Sequence, residues 1–338
     1  MESFKKFAAS SALLLAVSLL TWGCGVSSSE TPATTTTTSA SSTTSTSVTS
    51  TTNASIYFQS ARSPWALYKI SQDGITSEIV VASTGGVSLE EPAVSPDGQK
   101  IAYSRLISGV RQVCLANIDG TSEEVMTTSG SAHANHDPAW WPDGSKLIIC
   151  RTNAYGAGDA IITVNVNNID DIIYRKTELQ GLGYASYFDA VYLTYFASNG
   201  NKMRIYKVNN ENSDNVTDLG SIEADPAGNY DFYTPRVSPD GTKIAFASTV
   251  SSESLPLREI MVMNSDGTGV RRLTSRTAGH YDNYRPSWSP DGAWVAFYSN
   301  LQGDVTGETY DIYKVHINGT GETNVTNNSF PDINPNWD

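Results

Sequence analysis

The sequence predicts an all-β fold, a six-bladed β-propeller of four-stranded antiparallel blades whose first blade is closed by the C-terminal strand. Three observations predict it. A strand–turn–strand unit recurs along the chain, and a second kind of tight turn follows three of its four clear copies. The first strand missing from the first unit stands at the far end of the sequence.

The unit is clearest from Arg285 to Ser299. Arg285-Pro286-Ser287-Trp288 is a short extended run, Pro290-Asp291-Gly292 a tight turn, and Val295 to Ser299 an apolar strand. The same pattern occurs from Glu91 to Ser104, from Asp137 to Cys150 and from Thr234 to Ser248. Three of these four copies continue with a third strand and an Asp-Gly or Asn-Gly turn. These turns are Asp119-Gly120, Asp266-Gly267 and Asn318-Gly319. Such pairs between alternating runs mark hairpins, because Gly accepts the positive φ that the turn needs.

The turn aspartates Asp97, Asp143, Asp240 and Asp291 lie 46, 97 and 51 residues apart. The long interval holds two units, the second with a degenerate turn, spanning Asp189 to Ser198 and then Met203 to Val208. Repeats of this period imply an array of like units. At the N-terminal end, Ile56 to Ser60 and Leu67 to Ile70 match a second and a third strand. Asn334-Pro335-Asn336-Trp337 supplies the matching first strand and closes the ring, which removes an open sheet edge.

Residues 1–23 read as an export signal. Lys5 and Lys6 precede an apolar run from Phe7 to Leu20, too short for a comfortable membrane span. Cys24 directly after Gly23 resembles the lipobox of bacterial lipoproteins, which implies lipidation of Cys24, export and anchoring to the cell envelope, on its periplasmic or surface face. Residues 24–53 are almost entirely Ser, Thr and Ala and read as a disordered tether. Residues 54–338 form the propeller.

The 338-residue chain carries 22 Lys and Arg against 35 Asp and Glu, a formal charge of −13. That balance argues against nucleic acid, whose phosphates need a basic face. Cys114 and Cys150 sit inside strand patterns and read as buried free thiols.

The stretch Pro286 to Phe297 resembles the WD40-like repeat of the TolB propeller and its relatives, and the resemblance covers residues 54–338. It implies the fold, which hosts scaffolds, peptidase gating domains and a few lyases. TolB carries an additional α/β domain before its propeller, where this sequence has its Ser/Thr tether. Peptidases with related propellers carry a Gly-x-Ser-x-Gly elbow; that motif, a phosphate loop and a Rossmann fingerprint are all missing from the sequence. No cofactor is expected.

The loops before each innermost strand converge on one mouth of a propeller's channel. They place Glu91, Asp137, Tyr230, Asp231, Tyr281, Asp282 and Asp332 there, acids and aromatics suited to a cationic group or a sugar. Holding the loops together is the structural alternative for the same residues. The leading expectation is a monomeric, non-enzymatic, tethered propeller that binds a protein, peptide or glycan at that mouth. A second expectation is a metal-dependent polysaccharide lyase or hydrolase using His133, His136 and His280, residue types that suit Zn²⁺ or Mn²⁺. Some propeller lyases acting on pectic fragments use a His-bound metal at that place. A third is a purely structural envelope component.

Overall fold

The structure is a computed structural model, and it describes residues 54–62, 65–127, 133–153, 160–176, 180–187, 192–199, 202–209, 216–219, 231–249, 258–274, 282–300 and 309–338. All lie in the unit Thr51–Asp338. Signal, tether and Cys24 fall outside them, as do Tyr230, His280 and Tyr281. Among the described residues no helix is long and apolar enough to cross a membrane.

The chain opens with β1 (Ser55–Ser60), β2 (Ala66–Ser71) and β3 (Ser77–Ala82). Next come β4 (Leu89–Val94), β5 (Lys100–Ile107), β6 (Val110–Asn117) and β7 (Glu124–Val125). Then follow β8 (His133–Trp140), β9 (Lys146–Asn153), β10 (Ala160–Asn165) and β11 (Asn168–Lys176). The next four are β12 (Gln180–Tyr187), β13 (Tyr192–Asn199), β14 (Lys202–Asn209) and β15 (Val216–Asp218). After them run β16 (Phe232–Val237), β17 (Lys243–Thr249), β18 (Arg258–Asn264) and β19 (Arg271–Arg272). The chain ends with β20 (Asn283–Trp288), β21 (Trp294–Ser299), β22 (Asp311–His316), β23 (Thr323–Asn324) and β24 (Asp332–Trp337).

Hydrogen bonds gather these strands into four-stranded antiparallel sheets. Five are each one unbroken run of chain: β4–β7, β8–β11, β12–β15, β16–β19 and β20–β23. The remaining sheet has the order β24-β1-β2-β3 and joins the two ends of the propeller. The expectation of six like blades is therefore corrected. Five blades are continuous repeats, and the other sheet is a splice in which β24 completes three N-terminal strands. A reciprocal pair of backbone bonds seals one end of the splice, Ser55 N–H to Asp338 C=O at 2.7 Å and Asp338 N–H to Ser55 C=O at 2.9 Å. A second correction concerns the degenerate unit. Its innermost strand is β12, which ends at Tyr187, ahead of the Asp189 that the repeat spacing took as its start.

Each middle strand is buried on both faces, so it reads as a nearly continuous apolar run. Alternate residues serve opposite neighbours. Ile101 and Tyr103 pack with Tyr57, Leu67 and Val81 of the spliced sheet. Ala102 faces the other way and packs with Leu147, Ile149 and Ile162 of the next sheet. The ring closes in the same manner, with Ala296 and Ile312 against Ile56, Phe58 and Trp337. Cys114 and Cys150 are buried free thiols in these layers.

The Pro-Asp-Gly turns cap themselves. In the first, Ser95 Oγ–H donates to Asp97 Oδ1 at 2.6 Å and the Gln99 N–H donates to the same oxygen at 3.1 Å. Asp240 and Asp291 repeat this with Ser238 and Ser289. Gly98 follows at φ 67°, the left-handed region where a Cβ is costly. The aspartates of these turns are structural.

Candidate functional site

The innermost strands share a local irregularity that builds the site. In each of five, the residue before a Pro takes a positive φ: Glu91 at 59°, Asp137 at 53°, Thr234 at 51°, Arg285 at 49° and Asn334 at 58°. The ladder skips at the same place, for example between Glu90 and Ala93 and between His136 and Ala139. These are β-bulges, and they re-aim one side chain per strand. A following Pro makes the left-handed conformation harder to hold, so the surrounding sheets must over-determine it.

Four of the five residues, Glu91, Asp137, Arg285 and Asn334, line a cavity of about 360 Å³. Its wall continues through Trp140 and Arg236 to Pro96, Pro142 and Pro239 of the turns. The cavity thus lies toward the turn end of the innermost strands. The mouth expected from the loops is the opposite end.

Arg285 Nη2 lies 3.1 Å from Glu91 Oε1 and 3.2 Å from Asp137 Oδ1. Glu91 Oε2 accepts from Ser104 Oγ–H at 2.7 Å and from the Asp137 N–H at 2.8 Å. Asp137 Oδ2 lies 2.7 Å from His136 Nδ1. Burial alone would push the Glu91 carboxyl up. The charge of Arg285, then of His136, with the bonds from Ser104 and Asp137, outweighs it and brings Glu91 down to about 2. Asp137 goes the other way. Burial first and the Glu91 charge second raise its carboxyl, against Arg285 and His136. Burial would lower the His136 imidazole, but the bond and charge of Asp137, with the Glu91 charge, hold it above its ordinary value. A carboxylate-held imidazole of this kind can store and return a proton.

Glu91, His136 and Asp137 each offer a ligand atom, and the three atoms lie within 4.8 Å of one another. Two oxygens and one nitrogen suit a divalent ion such as Mn²⁺ or Zn²⁺. Asp137 Oδ1 is buried and, among the described residues, accepts no hydrogen bond, its contact with Arg285 being one of charge. The residues present fit such an ion, with Arg285 as the cation it would meet. This cluster overturns the expectation of a propeller without chemistry. Two buried carboxylates of the cavity wall and the half-buried imidazole beside them form a set able to coordinate a metal, consistent with catalysis.

The sequence-derived candidates are distributed differently. Glu91 and Asp137 meet in the cavity wall. Asp282 is engaged at the start of β20, its Oδ2 2.6 Å from Arg258 Nη1. Burial raises its carboxyl against that cation. Asp332 is fully buried, 2.9 Å from Arg62 and accepting from Asn328 at 2.6 Å, and burial raises it too. Asp231 stands before β16, where its N–H donates to Thr249 Oγ1 at 2.8 Å. His133 begins β8, three residues before His136, and is not part of the metal-capable cluster. Arg285, Arg236 and Ser104 were not among the candidates. Aligning the five x-Pro pairs would have found Arg285, since each x is the same structural position.

No family model matches this chain, and no curated protein matches it. Solved structures do. TolB from Acinetobacter baumannii superposes with a TM-score of 0.67 at 18% identity, over 84% of this chain and 66% of that one. A putative TolB from Agrobacterium tumefaciens gives 0.60 at 20% identity, over 81% and 88%. An oligogalacturonate lyase in complex with manganese gives 0.50 at 15% identity, over 80% and 72%. At these identities the likeness shows the fold alone: a TolB-like propeller, a scaffold that also carries a manganese-bound lyase.

Proposed function

We propose that this propeller is a metal-dependent polysaccharide lyase or hydrolase whose site is the channel cavity. The observation that carries the proposal is the trio Glu91, His136 and Asp137, with ligand atoms within 4.8 Å of one another, two of the three residues lining the cavity. The likeness to an oligogalacturonate lyase in complex with manganese supports it. A divalent ion held by these three residues would act as a Lewis acid on a substrate oxygen. Glu91 and Asp137 supply the charge that attracts it. Ser104 and the Asp137 N–H orient Glu91, and the His136–Asp137 bond orients the imidazole. The bulges hold Glu91 and Asp137 on rigid strands.

The same reading takes the protein as exported, anchored through Cys24 and spaced by residues 24–53, so that a monomeric propeller meets saccharide in the envelope. A protein partner on the loop side, as the TolB-like fold suggests, is compatible with it.

Elemental analysis and Mn²⁺ titration of the purified protein test the proposal, followed by a screen of acidic and neutral oligosaccharides for chain cleavage. We expect one ion per chain in the wild type, and loss of both ion and cleavage in His136→Ala and Glu91→Gln. Wild-type protein that takes up no Mn²⁺ or Zn²⁺ would overturn it.

A further inference from the structure

Two residues past each bulge, the innermost strands share a second equivalent position, which lines the cavity in all of them but the one carrying Ser287. In four strands that position holds Ala93, Ala139, Ser287 and Asn336. All are small or neutral, and the two polar ones serve the neighbouring sheet. Ser287 Oγ accepts from the Trp337 N–H at 2.9 Å, and Asn336 Oδ1 from the Val94 N–H at 2.9 Å. In β16 the same position is Arg236, a long cation.

Arg236 lines the cavity together with Glu91, Asp137 and Arg285. Its backbone is fixed, since its C=O accepts from Trp288 Nε1–H at 2.9 Å and it pairs with Ala245 in the ladder. Its guanidinium is poorly satisfied. Among the described residues its side chain makes one hydrogen bond, Nη1 to the C=O of Pro235 at 3.2 Å, and no ion pair. A guanidinium has five N–H donors in a fixed fork. Burial draws it below its ordinary value, with the more distant charges of Asp137 and Glu91 acting against that. Arg285, by contrast, is spent on Glu91 and Asp137. A half-buried cation with one neighbour contact keeps most of its donors open to the cavity, where a ligand can complete them.

We propose that Arg236 is the anchor of an anion subsite in the channel cavity, and that the group it takes is a carboxylate. The planar fork of a guanidinium matches a carboxylate with two parallel bonds. Trp140 lines the same cavity and adds an apolar ring to its wall. The substrate class is thereby narrowed from polysaccharide to acidic saccharide. This deepens the function proposed above and rests on the cavity being the ligand site, but it does not need the metal.

The test is calorimetric titration of the full chain in EDTA with three probes: digalacturonate, N-acetylaspartate and neutral galactobiose. We expect digalacturonate to bind and galactobiose not to. Arg236→Gln should weaken the acid by about tenfold or more, as loss of hydrogen bonds to a charged group does, and Arg236→Lys by less. N-acetylaspartate distinguishes the carriers of the carboxylate. Binding of digalacturonate alone supports a sugar acid, and binding of both acids supports a carboxylate site open to peptides. Acid and neutral sugars binding alike in the wild type would overturn the subsite, and that comparison needs no variant to fold. So would Arg236→Gln retaining wild-type affinity for the acid. Failure of the Mn²⁺ titration leaves these results untouched, so the two readings fail separately.

Discussion

Arg285 Nη2 lies 3.1 Å from Glu91 Oε1 although 194 residues separate them, and their strands belong to sheets that are not neighbours. The spliced sheet stands between those two sheets in the ring, so the pair reaches past it through the channel. Asp137, from a third sheet, takes the same guanidinium at 3.2 Å. One cation thereby ties three separate repeats. Breaking a buried pair by removing one partner leaves an uncompensated charge and costs about 3–5 kcal/mol. Arg285→Gln should lose stability of that order in urea unfolding. Arg285→Gln with Glu91→Gln should lose less than the sum of the two single changes. Additive losses would show that the pair does not couple.

The same contact sets a competition. Glu91 and Asp137 offer their oxygens either to Arg285 or to a metal, and two cations cannot share that space cheaply. Arg285→Gln should therefore bind Mn²⁺ more tightly than the wild type, as read by titration calorimetry at fixed ionic strength. Weaker binding in the variant would mean that Arg285 orients the ligands and does not compete for them.

The ring was legible because turn chemistry is local. Asp97-Gly98 and its counterparts announce hairpins without any tertiary information, and Asn334 to Trp337 can be matched to Arg285 to Trp288 by eye. The blade that lost its turn was misplaced, since β12 carries neither a Pro-Asp-Gly turn nor the x-Pro bulge pair that marks an innermost strand. The site was half legible. Acids before Pro drew attention to Glu91 and Asp137, but equally to Asp282 and Asp332, which Arg258 and Arg62 neutralise. Those partners lie far away in sequence, so no spacing rule finds them. Which end of the channel holds the cavity depends on bulges that turn single side chains, again invisible to a period-2 pattern.

Thr234 is the bulge residue least suited to its place. It is β-branched, buried and at φ 51°, and its Oγ1 has no hydrogen-bond partner among the described residues. A left-handed conformation costs an L-residue about 1–2 kcal/mol, and Asn tolerates it better. Thr234→Asn should raise the melting temperature, whereas Thr234→Val should not. A lower melting point for Asn would show that the Thr methyl contributes more packing than the strain removes.

The turn aspartates give the propeller an acid limit. Asp97, Asp143, Asp240 and Asp291 are all held below their ordinary value, most strongly by a Ser hydroxyl and then by turn N–H groups that bond the ionised carboxylate. The folded turn thus binds a proton less readily than the unfolded chain. The stabilisation is fully present above the unfolded value near 3.8 and is lost as pH falls through the lower folded values. Asn can fill the same turn without titrating, as Asn318 does by accepting from the Thr320 N–H at 3.0 Å. Asp240→Asn should therefore lower the melting temperature by about 1–2 °C at neutral pH, the modest effect of an exposed charge. The gap between variant and wild type should shrink as the pH falls from 3.8 toward 2. A gap that stays undiminished at pH 2 would assign the loss to turn geometry and remove the carboxylate's charge from the explanation.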